Sequence, residues 1–403
     1  MRILFVTRSL PFHHLGGMEA VAWDLARSLA SRGHYVEILT TKWGDLGETV
    51  LVEGVYIRTM NVPAGRYSNG YWRMTRDLFK SRYMNEVDIV LSIGMGAYSI
   101  ARVRNRGAHP PILMQSHGQA WGELISKFVV PNPLSWLKSP KNLLDLVRDR
   151  TLRRFDRIIP VGQAVTQVLS TYPTRWLLGR TPVTQISNGV SEQHFAFDEE
   201  RRRVTRSRLS ISVGATVLIS ACRLHVQKGI RESLSGFAIA LQRQPELVYL
   251  IVGAGPAEAS LRAYVQHLNI GKSVRFLGAV RREDLPGVLS AADIFLFTSK
   301  RREGLALGPL EASAVGLSCI LSNHLAVPEL DAILVNPNSS SEIADAICIA
   351  SGTVNRYRLS KLPECYSLSY ASSKYEECFK NEINDRILVV QAAQNDVIDP
   401  VMT

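Results

Sequence analysis

Hydrophobic positions along the chain fall into short runs separated by longer amphipathic segments. The first run, RILFVT at 2–7, is followed by EAVAWDLARSLASRG at 19–33, where apolar residues recur at helical spacing, and then by YVEILTT at 35–41. Further runs are DIVLS at 88–92, PILMQS at 111–116 and DRIIPVG at 156–162. Strand, helix, strand in that order predicts a parallel sheet covered on both faces. After residue 190 the rhythm restarts with TVLISA (216–221), LVYLIVG (247–253), VRFLGAV (274–280), DIFLFTS (293–299), SCILSN (318–323) and AILVNP (332–337). Helical segments open near Lys228, Ala257 and Gly308 between them. The pattern predicts an α/β chain of two doubly wound domains, 1–190 and 191–366, joined near Gly189. From Ser367 onward YASSKYEECFKNEI is helical with no strand to follow, so 367–403 reads as a closing helix and a loose tail after Ile387.

A length of 403 residues exceeds one ordinary core and fits this division. With 46% hydrophobic and 21% charged residues the chain is neither disordered nor of low complexity. No apolar run approaches the roughly 18 residues of a spanning helix, and MRILFVTRSL is not a signal peptide, so a cytoplasmic protein is expected. Five cysteines, odd in number and far apart, have no metal-ligand spacing and read as reduced, packed thiols. Charge adds an asymmetry. Residues 1–190 hold 24 Lys and Arg against 13 Asp and Glu, so the whole net charge of +11 belongs to the first half. An anionic partner, nucleic acid or an acidic membrane surface, would suit it; so would a merely soluble basic domain.

In open parallel sheets ligands sit at the carboxyl ends of strands. Four such loops carry candidate chemistry. Gly16 and Gly17 follow a strand and open a helix, so bare amides could approach a phosphate; a tight turn is the plainer reading. In ISACRLHVQKG, Arg223 and Lys228 could converge on a diphosphate, although two basic loop residues are commonly just solvated. Gly253 and Gly255 in LIVGAGPAE fit a Gly-Pro turn that needs no ligand. In SKRREGLALGPLEASAVG, Glu303 lies in the loop and Glu311 one turn inside a helix, with Gly304, Gly308 and Pro309 between them. The loop carboxylate could accept hydrogen bonds from sugar hydroxyls and the helix carboxylate those of a ribose. Favourable dipole charge alone would also explain a Glu near a helix start.

GGME at 16–19, ISNGV at 186–190, R-L-x-x-x-K-G at Arg223–Gly229, G-x-G-P at 253–256, VRFLG at 274–278 and E-x7-E at 303–311 occur in an order that resembles glycosyltransferase family 4. These are retaining, nucleotide-sugar-dependent glycosyltransferases of the GT-B fold, two Rossmann-like domains facing each other across a cleft. The likeness runs from the first strand to about residue 350, and YASSKYEECF looks like the family's closing helix, which crosses back to the first domain. The resemblance implies that Arg223 and Lys228 hold a donor diphosphate, with Gly16 and Gly17 approaching it. It implies that Glu303 and the backbone of Gly304, Leu305, Ala306 and Leu307 contact the transferred sugar, that Glu311 holds the ribose, and that Ala279 and Val280 receive the base edge. His117, in MQSHGQ, matches a histidine placed beside the sugar. Ala221, Ser191, Val161-Gly162 and the stretch HLAVPEL, which lacks the glycine that often precedes the Pro-Glu at Pro328-Glu329, depart from the family's pattern without touching the cations or carboxylates.

Breaking the anomeric bond leaves negative charge on the diphosphate, so fixed cations and a helix N-terminus are the expected catalytic device. No Asp-x-Asp motif is present, and Arg plus Lys can replace a divalent ion; metal independence and no cofactor beyond the nucleotide-sugar co-substrate follow. No convincing nucleophile appears, which favours same-face attack over a glycosyl-enzyme. The acceptor, a glycan or lipid-linked hydroxyl in cell-surface polysaccharide or lipopolysaccharide synthesis, is expected on the first domain. There, residues 64–84 interleave Arg66, Arg73, Arg76, Lys80 and Arg82 with Tyr67, Tyr71, Trp72, Phe79 and Tyr83. Such a segment could lie on an anionic membrane, as could a second basic stretch from Lys127 to Arg157, or its aromatics could pack on the core. Two alternatives stand beside transfer: an epimerase on the same fold, and a nucleic-acid-binding protein, which would leave the ordered motifs of the second half unused.

Overall fold

The computed structural model of the chain describes residues 1–13, 16–44, 49–104, 110–118, 149–354 and 358–398. Most of the basic stretch from Lys127 to Arg157 therefore lies outside the described residues. The chain forms two compact units. It passes from the first to the second between Gly189 and Val190, and Leu368 onward belongs to the first again.

The first unit is built on β1 (Arg2–Val6), β2 (Tyr35–Thr41), β3 (Thr49–Val52), β4 (Val55–Met60), β5 (Ile89–Ile93), β6 (Ile112–Ser116) and β7 (Arg157–Pro160), in the order β3-β4-β2-β1-β5-β6-β7. All pairings are parallel except β3 with β4. That hairpin was not among the strands anticipated above. Its turn is Glu53-Gly54, with φ of 48° and 80°, the left-handed pair that joins twisted strands in two residues. Ile3, Leu4, Phe5 and Val6 of β1 are fully buried, each contributing about 1.5–3 kcal/mol of burial, which is why a central parallel strand reads as an unbroken apolar run.

The second unit is built on β8 (Thr216–Ala221), β9 (Leu247–Val252), β10 (Val274–Gly278), β11 (Ile294–Phe297), β12 (Ser318–Ser322) and β13 (Ala332–Val335), all parallel in the order β10-β9-β8-β11-β12-β13. The chain moves outward from β8 through β9 to β10, then crosses to β11 on the other side. The carboxyl ends of β8 and β11 thus flank a topological switch point, as those of β1 and β5 do in the first unit.

Each unit is pinned by a buried aspartate just before a strand. Asp293 accepts from Arg202 Nη2 at 2.8 Å, Arg206 Nη2 at 2.7 Å and Val217 N at 2.7 Å, and also pairs with Arg358. Asp156 accepts from Ile112 N at 2.7 Å and pairs with Arg104 and Arg386. Arg386 lies on the last helix, Leu368–Ile398, which Arg157 also holds through Glu382 at 2.6 Å. The helix runs past Ile387, where a loose tail was expected, because neither glycine nor proline interrupts the sequence before Pro400. Residues 368–403 carry six acidic and three basic side chains, so the basic excess of the first unit is smaller than a division at residue 190 suggests. Among the described residues no helix is long and apolar enough to cross a membrane.

Candidate functional site

The loops after β8 and β11 meet at the switch point of the second unit. The β8 loop turns through a short 3-10 segment, Val226–Lys228, into Gly229, whose φ of 69° needs glycine and whose missing Cβ would stand 1.9 Å from the Thr298 carbonyl oxygen. Lys300 N donates to the Gln227 carbonyl at 2.8 Å and Thr298 Oγ1 to that of Gly229 at 2.9 Å, locking the two loops together. Lys228 Nζ then reaches Glu303 Oε1 at 2.7 Å, both side chains about four-fifths buried, and Ser299 Oγ donates to the same oxygen at 3.2 Å. Lys228 also stands 5.3 Å from the Phe297 ring centroid. The two residues read from sequence as contacts of different parts of a donor are thus an ion pair.

Arg223 is exposed, five residues before Lys228, with no ion-pair partner among the described residues. The loop is electropositive: burial first, then the charges of Arg223, Arg301 and Lys228, hold His225 below its ordinary pKa. Gly253 and Gly255 are more than a Gly-Pro turn. A Cβ at Gly253 would stand 1.9 Å from the Cys222 carbonyl oxygen and one at Gly255 2.2 Å from that of Leu224, so both let the β9 loop lie against the backbone flanking Arg223. Burial pushes the neighbouring Cys222 thiol up to about 11 and Cys319 to about 12, and all five cysteines are free, as packed thiols should be.

Gly304, Leu305 and Ala306 lead into the helix Leu307–Ala314, whose N-cap, Ala306, offers no side-chain acceptor. Its first amides, which no helix can satisfy internally, are thereby open to an anion. Glu311 is the fifth residue of this helix, beyond the turn where dipole charge acts, so that simpler explanation does not apply. Its buried carboxylate accepts from Arg282 Nη1 at 2.7 Å. Arg282 follows Ala279 and Val280 in the loop after β10, and sequence reasoning missed it; the Arg281-Arg282 pair just past VRFLG was the available signal. Gly278, with φ of 71°, turns the chain into that loop, and its carbonyl accepts from Gly253 N at 2.7 Å.

In the first unit, Gly16 caps the helix Gly17–Ser31 from an extended conformation. A Cβ there would stand 2.2 Å from Glu19 Oε2, so the glycine makes room for a carboxylate of its own helix, which Ser9 Oγ holds at 2.8 Å through Oε1. His117, just past β6, shares a 2.8 Å hydrogen bond between Nε2 and Gln115 Oε1. The Gln115 amide in turn donates to the Tyr375 hydroxyl at 2.7 Å, on the last helix. Burial lowers the His117 pKa to about 4, so its ring is neutral at ordinary pH. With Nε2–H donated to Gln115, Nδ1 is left as the acceptor.

The basic aromatic segment divides by face. Ser68 caps the helix Asn69–Ser81, and Tyr71, Phe79 and Tyr83 are buried in the core. Trp72 is half-buried, stacked on Tyr67 at 4.7 Å. The aromatics therefore pack inward, whereas Arg66, Arg73, Lys80 and Arg82 are exposed and Arg76 pairs with Asp77 at 3.1 Å. A 3.6-residue period that places Tyr71, Thr75 and Phe79 on one face is the physical reason.

Two family models match the chain in succession: Glycosyltransferase Family 4 over residues 15–194 and Glycosyl transferases group 1 over residues 202–349. The chain belongs to the family 4 glycosyltransferases. This glycosyltransferase is 25% identical over 367 residues to the GDP-mannose-dependent alpha-(1-6)-phosphatidylinositol monomannoside mannosyltransferase of Mycobacterium tuberculosis, a match covering 86% of this chain and 88% of the relative. Among solved structures it resembles sucrose-phosphate synthase from Thermosynechococcus elongatus, with a TM-score of 0.69 and 17% identity over 99% of this chain and 100% of that one. It also resembles Anabaena HepE solved in complex with UDP-glucose, with a TM-score of 0.65 and 19% identity over 97% of this chain and 100% of that one. These likenesses establish the GT-B fold, and the glycosyltransferase is a hexosyltransferase by its family.

Proposed function

We propose that the enzyme transfers a hexosyl group, with retention, from a nucleoside-diphosphate sugar to a hydroxyl of a lipid-linked or glycan acceptor in the assembly of a cell-surface glycoconjugate. The observation that carries this reading is the Lys228–Glu303 pair, 2.7 Å apart at the switch point, with Arg223 unpaired on the same loop. One Nζ proton of Lys228 serves Glu303, leaving two for phosphate oxygens. Arg223 and the uncapped amides at Leu307 add to the field that stabilises the departing diphosphate, so the charge a divalent ion would supply comes from the protein. Glu303 accepts from sugar hydroxyls, Glu311, oriented by Arg282, from the ribose, and the backbone of Ala279 and Val280 meets the base. As the anomeric carbon leaves the phosphate oxygen and the acceptor oxygen bonds to the same face, the acceptor's proton passes to the departing phosphate. The mycobacterial relative, whose name specifies GDP-mannose and a phosphatidylinositol mannoside, supports the donor and lipid-linked classes. Incubation with nucleotide sugars, with and without a lipid-linked acceptor, tests the reading. A glycoside of the donor's own anomeric configuration is expected, whereas an epimerised sugar formed from donor alone would replace transfer with epimerisation.

Attachment to the cytoplasmic membrane face is reversible in this reading and electrostatic, because the segment's aromatics are committed to the core. Arg73 and Lys80 are exposed without ion-pair partners among the described residues. At about 1 kcal/mol for each basic residue near an anionic surface, neutralising Arg73, Arg76, Lys80 and Arg82 together weakens sedimentation with phosphatidylglycerol vesicles at least on the order of thirtyfold. Salt weakens the wild type similarly, while nucleotide binding is unchanged. Sedimentation indifferent to these four charges would point to a soluble acceptor.

A further inference from the structure

We infer that Arg8, backed by the ring of Tyr67, holds a phosphate or phosphodiester group of the acceptor. The inference rests on the reading of the protein as a transferase with a separate acceptor, and deepens it by naming a charge the acceptor must carry.

Arg8 stands two residues beyond β1, at the switch point of the first unit, the position where open sheets of this kind take their ligands. Its guanidinium carbon is 5.2 Å from the centroid of the Tyr67 ring. Its Nε is buried and has no hydrogen-bond partner, and the guanidinium forms no ion pair among the described residues. The Glu19 carboxylate is held by Ser9 Oγ at 2.8 Å. A buried donor without an acceptor costs about 1–3 kcal/mol, and a forked cation in that state suits a bidentate oxyanion.

The surroundings are rigid. Thr41 Oγ1 donates to the Arg8 carbonyl at 2.8 Å and accepts from Gly65 N at 2.8 Å, which fixes the backbone from which the side chain extends. Tyr67 stacks on Trp72 with an interplanar angle of 17°, and Trp72 leans on Tyr98 at 5.2 Å, so the ring beneath the cation is held in place. The residues next to this threonine and glycine, Lys42 and Ala64, line an open surface depression at the ends of β2 and β4. The donor diphosphate has its own cations in the second unit, Arg223 and Lys228, so a further oxyanion site on the acceptor-binding unit is assigned to the acceptor.

The test is binding of two probes to the full chain with UDP or GDP saturating the donor site. The probes are inorganic phosphate, followed by calorimetry, and phosphatidylglycerol in phosphatidylcholine vesicles, followed by sedimentation. Arg8→Ala is expected to weaken at least one probe tenfold or more, Arg8→Lys to recover part of the loss, and Arg223→Ala to leave it unchanged. Dependence on Arg8 in the phosphate arm identifies a soluble phosphorylated acceptor; dependence only in the vesicle arm identifies a lipid phosphodiester. Nucleoside-diphosphate affinity stays within twofold in Arg8→Ala, which also shows that the variant is folded. Equal binding of both probes by wild type and Arg8→Ala, no binding of either by wild type, or loss confined to Arg223→Ala would overturn the assignment. Failure of wild type to bind any nucleoside diphosphate would instead strike at the donor reading, with the Arg8 comparison still legible.

Discussion

Arg223→Ala and Lys228→Ala each lower turnover roughly a hundredfold or more, the usual consequence of removing one preorganised group that opposes charge developing on a leaving group. The two variants differ in what else they lose. Arg223 is exposed and has no ion-pair partner among the described residues, so its removal alters stability by no more than about 0.5 kcal/mol. Lys228 leaves Glu303 without its 2.7 Å partner and costs about 1 kcal/mol more. Steady-state kinetics with thermal denaturation of the same preparations checks both statements. Near-normal turnover in both variants would remove the diphosphate clamp from the account.

Glu303→Gln lowers sugar transfer by on the order of ten- to a hundredfold, because a hydrogen bond to a charged acceptor is worth about 1.5–3 kcal/mol and the amide keeps only a neutral oxygen. Nucleoside-diphosphate affinity is retained or improved. In the ligand-free protein the carboxylate neutralises part of the Lys228 charge, and the substitution returns that charge to the phosphates. Titration of UDP or GDP against wild type and variant measures this directly. Binding lost with Glu303 would place the residue on the nucleotide rather than on the sugar.

Most of the fold was legible because buried parallel strands leave unbroken apolar runs, as at Ile3–Val6. The β3-β4 hairpin escaped because its strands are short and half-polar, though Glu53-Gly54 carried a turn signal. Sequence reasoning put the candidate cations and carboxylates at strand ends, and the strand order brings those of the second unit to one switch point. What it did not contain was pairing. Lys228 with Glu303, Arg282 with Glu311, and Tyr375 with Gln115 join residues 29 to 260 positions apart, separations that no local period encodes. The role of Gly253 and Gly255 was hidden for the same reason, since the carbonyls they make room for belong to another strand's loop. Interleaved charges and aromatics at 64–84 suggested a membrane face because composition was read without helical phase. Phase sends Tyr71 and Phe79 inward and leaves Arg73 and Lys80 outside.

The proposed function requires a nucleoside-diphosphate site at the ends of β8 and β11. The direct measurement is thermal denaturation of the full chain with UDP, GDP and ADP, beside the Arg223→Ala/Lys228→Ala double variant. A ligand at a hundred times its dissociation constant adds about 2.7 kcal/mol to stability. At least one of the three should raise the melting temperature of the wild type accordingly and leave that of the double variant unmoved. No shift with any of them, or an equal shift in the double variant, would contradict the site.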